Sequence, residues 1–185
     1  MTKNKIVLIG GGVRSGKSSF AVDRGLSLGE RRAFIATATR SDDEMNARID
    51  RHQVDRRNAF ETVEEPWALA DALARLTEYD VVVVDCLTHW FSNLLIRKLS
   101  TDEILKQVDA AVAVLQERHF HALLVTNEVG MSVHPPTPLG RAFVEVCGFA
   151  HQRFSRVADE VHLAVLGTTL CIKPGPSAGV AEGVH

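Results

Sequence analysis

Ile6-Val7-Leu8-Ile9-Gly10-Gly11-Gly12-Val13-Arg14-Ser15-Gly16-Lys17-Ser18 is the stretch on which the fold turns. Its first four residues are apolar, three of them β-branched, and read as a strand buried on both faces. Gly11 to Ser18 fits G-x-x-x-x-G-K-[ST] at every fixed position. Glycines at those positions let the backbone curl so that successive N–H groups point inward at phosphate oxygens. Lys17 then reaches the β- and γ-phosphates, and the Ser18 hydroxyl can ligate Mg²⁺. A helical pattern over 17–28 follows, and its amino end adds a positive dipole. Gly11, Gly12, Val13, Arg14, Ser15, Gly16, Lys17 and Ser18 are therefore expected to form a phosphate-binding loop between strand and helix.

Outward from this loop, apolar runs alternate with helical patterns. Strands are expected over 6–9, 33–37, Val81–Asp85, 122–126, 160–166 and 169–173, the last two around Gly167. Helices are expected over 17–28, 41–57, 66–76, 88–99, 102–118 and 139–157. The 41–57 segment begins with Ser41 as N-cap and Glu44 three residues on, a capping box. Pro66 stands at the start of its segment, where a missing N–H costs little. Short buried strands alternating with helices predict an α/β fold, a mostly parallel sheet covered on both faces. Ligands of such sheets sit at the carboxyl ends of the strands. Thr37, Asp85, Asn127 and Glu128 fall there, beside the glycine loop. The region 1–173 reads as one domain, followed by a Pro-, Gly- and Ala-rich tail over 174–185 expected to fray.

Composition sets the outer bounds. The chain has 185 residues, 45% hydrophobic and 24% charged, an ordinary globular composition that excludes disordered and collagen-like classes. With 21 basic and 23 acidic residues the formal net charge is -2, so no global basic field favours nucleic acid. Three cysteines argue against a disulfide framework and fit a reducing cytoplasm. No apolar stretch approaches membrane-spanning length.

Asp85 closes the polyvaline strand, where nucleotide-binding folds place a carboxylate for Mg²⁺; the alternative is a cap for the next helix. Cys86 reads as packing. His52 continues the apolar stripe of Met45 and Ile49 and is flanked by Arg48, Arg51, Arg56 and Arg57. These cations favour a neutral imidazole and attract phosphate. On periodicity alone His52 is a partly buried or interface histidine of a basic helix. Thr126 to Gly130 reads as a turn after a strand. The remaining histidines show no metal-ligand spacing, and Trp67 and Trp90 sit within helical patterns as core or interface residues.

The glycine loop, Ala36-Thr37, Asp42-Asp43-Glu44-Met45, Arg48-Ile49 and His52 together resemble one family: the bifunctional adenosylcobinamide kinases and adenosylcobinamide-phosphate guanylyltransferases of cobalamin biosynthesis. The resemblance continues through Asp85-Cys86-Leu87-Thr88, Asn93-Leu94-Leu95, Val125 to Gly130, Gln152 and Ala158 to Val161. This chain departs from the family with Ser132-Val133-His134-Pro135 after the Thr126 segment, with His151 before Gln152, and with Arg51 where some relatives have a second histidine. The resemblance implies a P-loop domain with a RecA-like sheet, assembled as a homotrimer. It implies phosphorylation of adenosylcobinamide by ATP or GTP, then transfer of GMP from GTP to the product phosphate through a guanylyl-histidine. It makes His52 the nucleophile, with Lys17 catalytic. It implies nucleotide contacts at Ala36, Thr37, Ala38, Gln53, Val54, Asp55, Arg56, Glu64 and Asp85, with Mg²⁺ on Ser18 and Asp85. It implies a cytoplasmic enzyme with a corrinoid substrate and no nucleic-acid partner. Against it stand a single-activity kinase of another small hydroxyl compound, with His52 structural, and a non-catalytic nucleotide switch.

Overall fold

Strict alternation of side chains lets each central strand feed two cores. The computed structural model describes residues 3–39 and 59–175. The expected helix over 41–57, with His52 and Gln53 to Arg56, lies outside the described residues, as does the tail over 176–185. From β1 (Ile6–Gly11), Ile6 and Leu8 point to one face, Val7 and Ile9 to the other. In β4 (Val81–Asp85), Val82 and Val84 join the first pair, and Val81 and Val83 the second.

The remaining elements are α1 (Lys17–Leu26), β2 (Arg32–Ala36), β3 (Glu61–Glu64), α2 (Leu69–Ala74), α3 (Leu87–Ile96), α4 (Thr101–Gln116), β5 (His121–Val125), α5 (Pro138–Val157), β6 (Glu160–Val165) and β7 (Thr168–Lys173). Seven strands form one sheet in the order β3-β2-β4-β5-β1-β6-β7, all neighbours parallel except β6 and β7. The larger core packs α2, α3, α4 and α5 on one face, around the fully buried Trp90, Phe91, Ile104 and Phe154. The smaller core packs Ala21 of α1 with Phe34, Phe60 and Leu123 on the other. A capping box between Ser100 and Glu103 starts α4, and Thr137 with Pro138 starts α5.

Two expectations need correction. Strand β3 was not foreseen, because Glu61-Thr62-Val63-Glu64 is polar and mostly exposed. It is an edge strand, where charge protects an unpaired rim. The helix expected over 66–76 is Leu69–Ala74 only. The Glu65 carboxylate accepts the Trp67 and Ala68 N–H groups at 3.0 and 2.8 Å, which holds Pro66 and Trp67 in a turn before the helix. Asp85 thus closes the fourth strand rather than the third. At the far edge, Leu166 and Gly167 both have positive φ, 51° and 79°, as the tight turn of a hairpin requires. Among the described residues no helix is long and apolar enough to cross a membrane.

The amino end of β1 is clasped from three sides. Asp159 accepts the Ile6 N–H at 2.8 Å and bonds Arg118, which also donates to the Asn4 and Val157 carbonyls. Burial pushes the Asp159 carboxyl up, but the bonds from Arg118 and Ile6 and the charges of Arg118 and Lys3 outweigh it and hold the group below its usual value. Arg118→Ala should destabilise the fold by about 1–3 kcal/mol, since it leaves partly buried acceptors unpaired; urea unfolding checks this. Asp159→Asn tests the charge. The carboxylate's contribution is present above its unfolded pKa, ~3.9, and is lost as pH falls through the lower folded value. The stability gap between parent and variant should therefore close below about pH 4.

Candidate active site

One row of paired residues sets the site. Strand register aligns Glu64 with Ala36, Ala36 with Asp85, Asp85 with Val125, and Val125 with Ile9. Neighbouring strands lie about 4.8 Å apart, so Asp85 stands about 10 Å from β1 across β5. Gly11 and the phosphate loop begin two residues beyond Ile9, on the same end of the sheet.

The loop is tight where the sequence demands glycine. Gly11 has φ +151°, and a Cβ there would lie 2.3 Å from the Ala164 carbonyl oxygen and 2.9 Å from Ser15 Oγ. Gly16, φ +96°, is the N-cap of α1 and offers no side chain to the first turn, which also lacks an acidic residue. The first-turn N–H groups are therefore left for an anion. Lys17 is only 7% exposed. Its ammonium folds back over the loop, donating to the Gly12 carbonyl at 2.5 Å and to Ser15 Oγ at 3.4 Å. A cation folded over a glycine loop at an uncapped helix start is where a phosphate would be seated.

Asp85 and Ser18 fit a magnesium ion. Among the described residues neither the carboxylate nor the hydroxyl makes a hydrogen bond. Mg²⁺ takes one or two such oxygens and completes its shell with waters and phosphates.

Behind this row, buried polar side chains brace the strand ends. Thr37 is fully buried; its Oγ1 donates to the Cys86 carbonyl at 2.7 Å and accepts the Cys86 N–H at 2.8 Å, while its own carbonyl accepts Asn93 Nδ2 at 2.8 Å. Its side chain therefore braces β2 against β4. Thr88 Oγ1 sits 3.1 Å from Cys86 Sγ and accepts Asn127 Nδ2 at 3.1 Å. Thr126 Oγ1 pairs with His151 Nε2 at 2.6 Å, and the Glu128 N–H donates to the Gly11 carbonyl at 2.9 Å. Burial pushes the His151 pKa down, opposed by the Glu128 charge. Burial, with the charge of Asp85, pushes the Cys86 thiol up to about 11, and burial pushes Cys147 up to about 12. Neither is a thiolate nucleophile near neutrality. Ala36 and Ala38 are half-buried at the end of β2, and Glu64 is exposed at the end of β3.

Of the residues expected at the site, Gly11 to Ser18, Ala36 to Ala38, Glu64 and Asp85 all lie at one end of the sheet. His52 and Gln53 to Arg56 are outside the described residues. Asn93, Thr88, Thr126 and His151 were not expected to act there. A signal was available for three of them: Thr88 and Asn93 are polar residues in the mostly apolar α3, and Thr126 stands at the end of β5, whereas His151 lies beside Gln152 and Arg153 in an amphipathic helix that gives it no distinction.

Gly11→Ala should lower nucleotide affinity and destabilise the fold by about 1–3 kcal/mol, because the new Cβ meets backbone that cannot turn aside. Gly12→Ala, with nothing within 4 Å of its Cβ position, should change stability by less than about 0.5 kcal/mol. Thermal melting with and without nucleotide distinguishes the two.

Comparison with known proteins follows the same outline. The family model described as cobinamide kinase / cobinamide phosphate guanyltransferase matches residues 7–172. A bifunctional adenosylcobalamin biosynthesis protein of Pseudomonas aeruginosa is 36% identical over 170 residues, covering 91% of this chain and 98% of that protein. Its counterpart in Escherichia coli is 33% identical over 182 residues, covering 91% and 99%. Among solved structures, a KaiC-like protein of Pyrococcus horikoshii superposes with a TM-score of 0.50 at 17% identity, over 88% of this chain and 72% of that one. That likeness is one of fold, the P-loop NTPase fold with its mostly parallel sheet. Loop, strand order and a match running nearly the whole length agree: the chain belongs to the cobinamide kinase / cobinamide phosphate guanyltransferase family.

Proposed function

We propose that this chain catalyses both reactions for which its family is named, on one nucleotide site at the carboxyl end of the sheet. In the first, the aminopropanol hydroxyl of adenosylcobinamide attacks the γ-phosphorus of ATP or GTP. The bond to the β–γ bridging oxygen breaks, and the nucleoside diphosphate leaves. The loop amides and Lys17 hold the phosphates and balance charge that builds on the transferring group. Ser18 and Asp85 would hold Mg²⁺, which when bound would neutralise phosphate charge. Glu128, whose backbone N–H donates to the Gly11 carbonyl and whose carboxylate accepts the Gly130 N–H, is proposed as the acceptor of the hydroxyl proton. In the second reaction, a ring nitrogen of His52 attacks the α-phosphorus of GTP and pyrophosphate leaves. An oxygen of adenosylcobinamide phosphate then attacks the same phosphorus, the histidine departs, and adenosyl-GDP-cobinamide forms. Ala36 to Ala38, Gln53 to Arg56 and Glu64 are proposed as nucleotide contacts.

The observation that carries this reading is the loop itself: Lys17 folded back onto the Gly12 carbonyl, in front of an uncapped helix, in a chain whose family match spans 7–172. A homotrimer, as the family resemblance implies, completes the proposal. The exposed Leu166, Leu170 and Ile172 of the last hairpin support it, since apolar side chains in the open favour a partner. A cytoplasmic location follows from the supply of ATP and GTP there.

Incubation with α-labelled GTP and Mg²⁺ tests the proposal. His52→Ala should lose both the protein-bound label and GMP transfer, while phosphorylation of cobinamide from a γ-labelled donor persists. The parent's adduct should be labile in acid and stable in base. Labelling should fall as pH drops below the histidine pKa, ~6.5, because imidazolium has no lone pair for attack. Label retained by His52→Ala would disprove the assignment. Asp85→Asn should raise the Mg²⁺ concentration needed for half-maximal rate in both steps, about tenfold for the loss of one charged ligand; an unchanged Mg²⁺ titration would leave Asp85 a structural residue.

A further inference from the structure

A cleft of about 400 Å³ opens on the helical layer, between the residues that follow β3 and helices α3 and α4. Trp67 forms one wall and is 39% exposed. The exposure is not looseness. The Trp67 N–H donates to Glu65 Oε1 at 3.0 Å, its carbonyl accepts Trp90 Nε1 at 2.7 Å, and the Pro66 carbonyl accepts Asn93 Nδ2 at 3.0 Å. The Arg97 guanidinium lies 4.0 Å over the indole ring. A tryptophan fixed at its backbone and left open on its side chain is contact area already ordered for a ligand.

The cleft is also joined to the strand ends. Residues 65–68 leave the carboxyl end of β3, and α4 lines the cleft with Gln107 and Ala110, midway along its length. Asn93 donates to both the Pro66 and Thr37 carbonyls, so one buried amide joins the Trp67 turn to the row of strand ends that carries Asp85. The phosphate loop lies four strands from β3, about 19 Å at ~4.8 Å per strand. A flat macrocycle with an extended arm spans such a gap, and a small hydroxyl compound does not.

Leu99 and Ala110 contribute apolar surface, while Asp71, Gln107 and Arg97 ring it with one anionic acceptor, one amide and one cationic donor. Among the described residues none of these three side chains makes a hydrogen bond. We propose that this cleft holds an edge of the corrin ring of the acceptor, with methyl groups against Trp67 and Leu99 and amide arms on Asp71, Gln107 and Arg97. The corrin periphery alternates methyls with acetamide and propionamide arms, and each arm both donates and accepts. The volume suits one edge of the ring. Asp71 in the lining disfavours a phosphate seated in the cleft itself, which leaves the phosphorylated end of the arm to the loop. The assignment rests on the reading of the acceptor as cobinamide.

The test is steady-state kinase kinetics with two acceptors, cobinamide and a corrin-free N-acyl aminopropanol. Ala110→Trp, which fills the cleft from an exposed helix position, and Trp67→Ala should each raise the KM for cobinamide about tenfold, the loss of one well-packed contact. The KM for nucleotide and the slow rate with the corrin-free acceptor should not change. Gln107→Leu keeps the helix and should raise the cobinamide KM severalfold, which guards against a folding defect in the larger changes. An unchanged cobinamide KM in folded Ala110→Trp overturns the assignment. So does a rise in nucleotide KM, which would give the cleft to the nucleotide, or a change in oligomeric state alone, which would make it a contact between copies. If the parent phosphorylates no cobinamide, the functional reading fails with it. If the parent does so and the variants match it, only the cleft assignment fails.

Discussion

The parallel pairing of β1 between β5 and β6 is the constraint on which the site depends. It fixes where the phosphate loop begins relative to every other strand end. The close approach of Gly11 to the Ala164 carbonyl, and of the Gly16 Cβ position to Gly167 at 3.7 Å, means that the loop rests on β6 and the hairpin turn. A loop that must present amides in a ring cannot also supply its own support, because its backbone donors are reserved for the ligand. The sheet supplies the support instead. The Asp159 and Arg118 clasp holds the other end of β1, so that strand is pinned at both ends by partners distant in sequence.

Chemistry and bracing fall to different residues. The groups proposed to meet phosphate or metal, Lys17, Ser18 and Asp85, come from the loop, the start of α1 and the end of β4. The residues that hold those groups in register, Thr37, Thr88, Asn93 and Thr126, are short polar side chains buried among apolar ones. Each satisfies backbone or side-chain groups at a strand end, where the ladder stops and peptide groups would otherwise be left unpaired. His151 on α5 extends this bracing through Thr126 and ties the helical layer to the strand that precedes Asn127 and Glu128. Asn93 carries it in the opposite direction, toward Pro66 and Trp67. The outcome is a rigid line of strand ends running from the phosphate loop to the Trp67 turn.

The sequence by itself determined the fold class and the phosphate loop. Polyvaline at 81–84 and Ile6 to Ile9 can only be strands buried on both faces, and a strand leading through Gly11 to Ser18 into a helix has few other uses. Local chemistry suffices for such elements, since the burial of a strand and the curl of a glycine loop are both written in consecutive residues. The polar edge strand Glu61–Glu64 left no such trace, because its pairing with β2 comes from backbone hydrogen bonds that no side-chain pattern records. The start of α2 was misplaced for a related reason: Pro66 suits a helix start, but Glu65 captures the N–H groups beyond it. What only the tertiary structure decided is which distant residues meet. The row from Glu64 through Asp85 to Ile9, the engagement of Thr37 with Cys86, and the fixed Trp67 beside Arg97 all join segments tens of residues apart. Sequence patterns carry the period of a helix or a strand, whereas strand register is set by how whole layers pack.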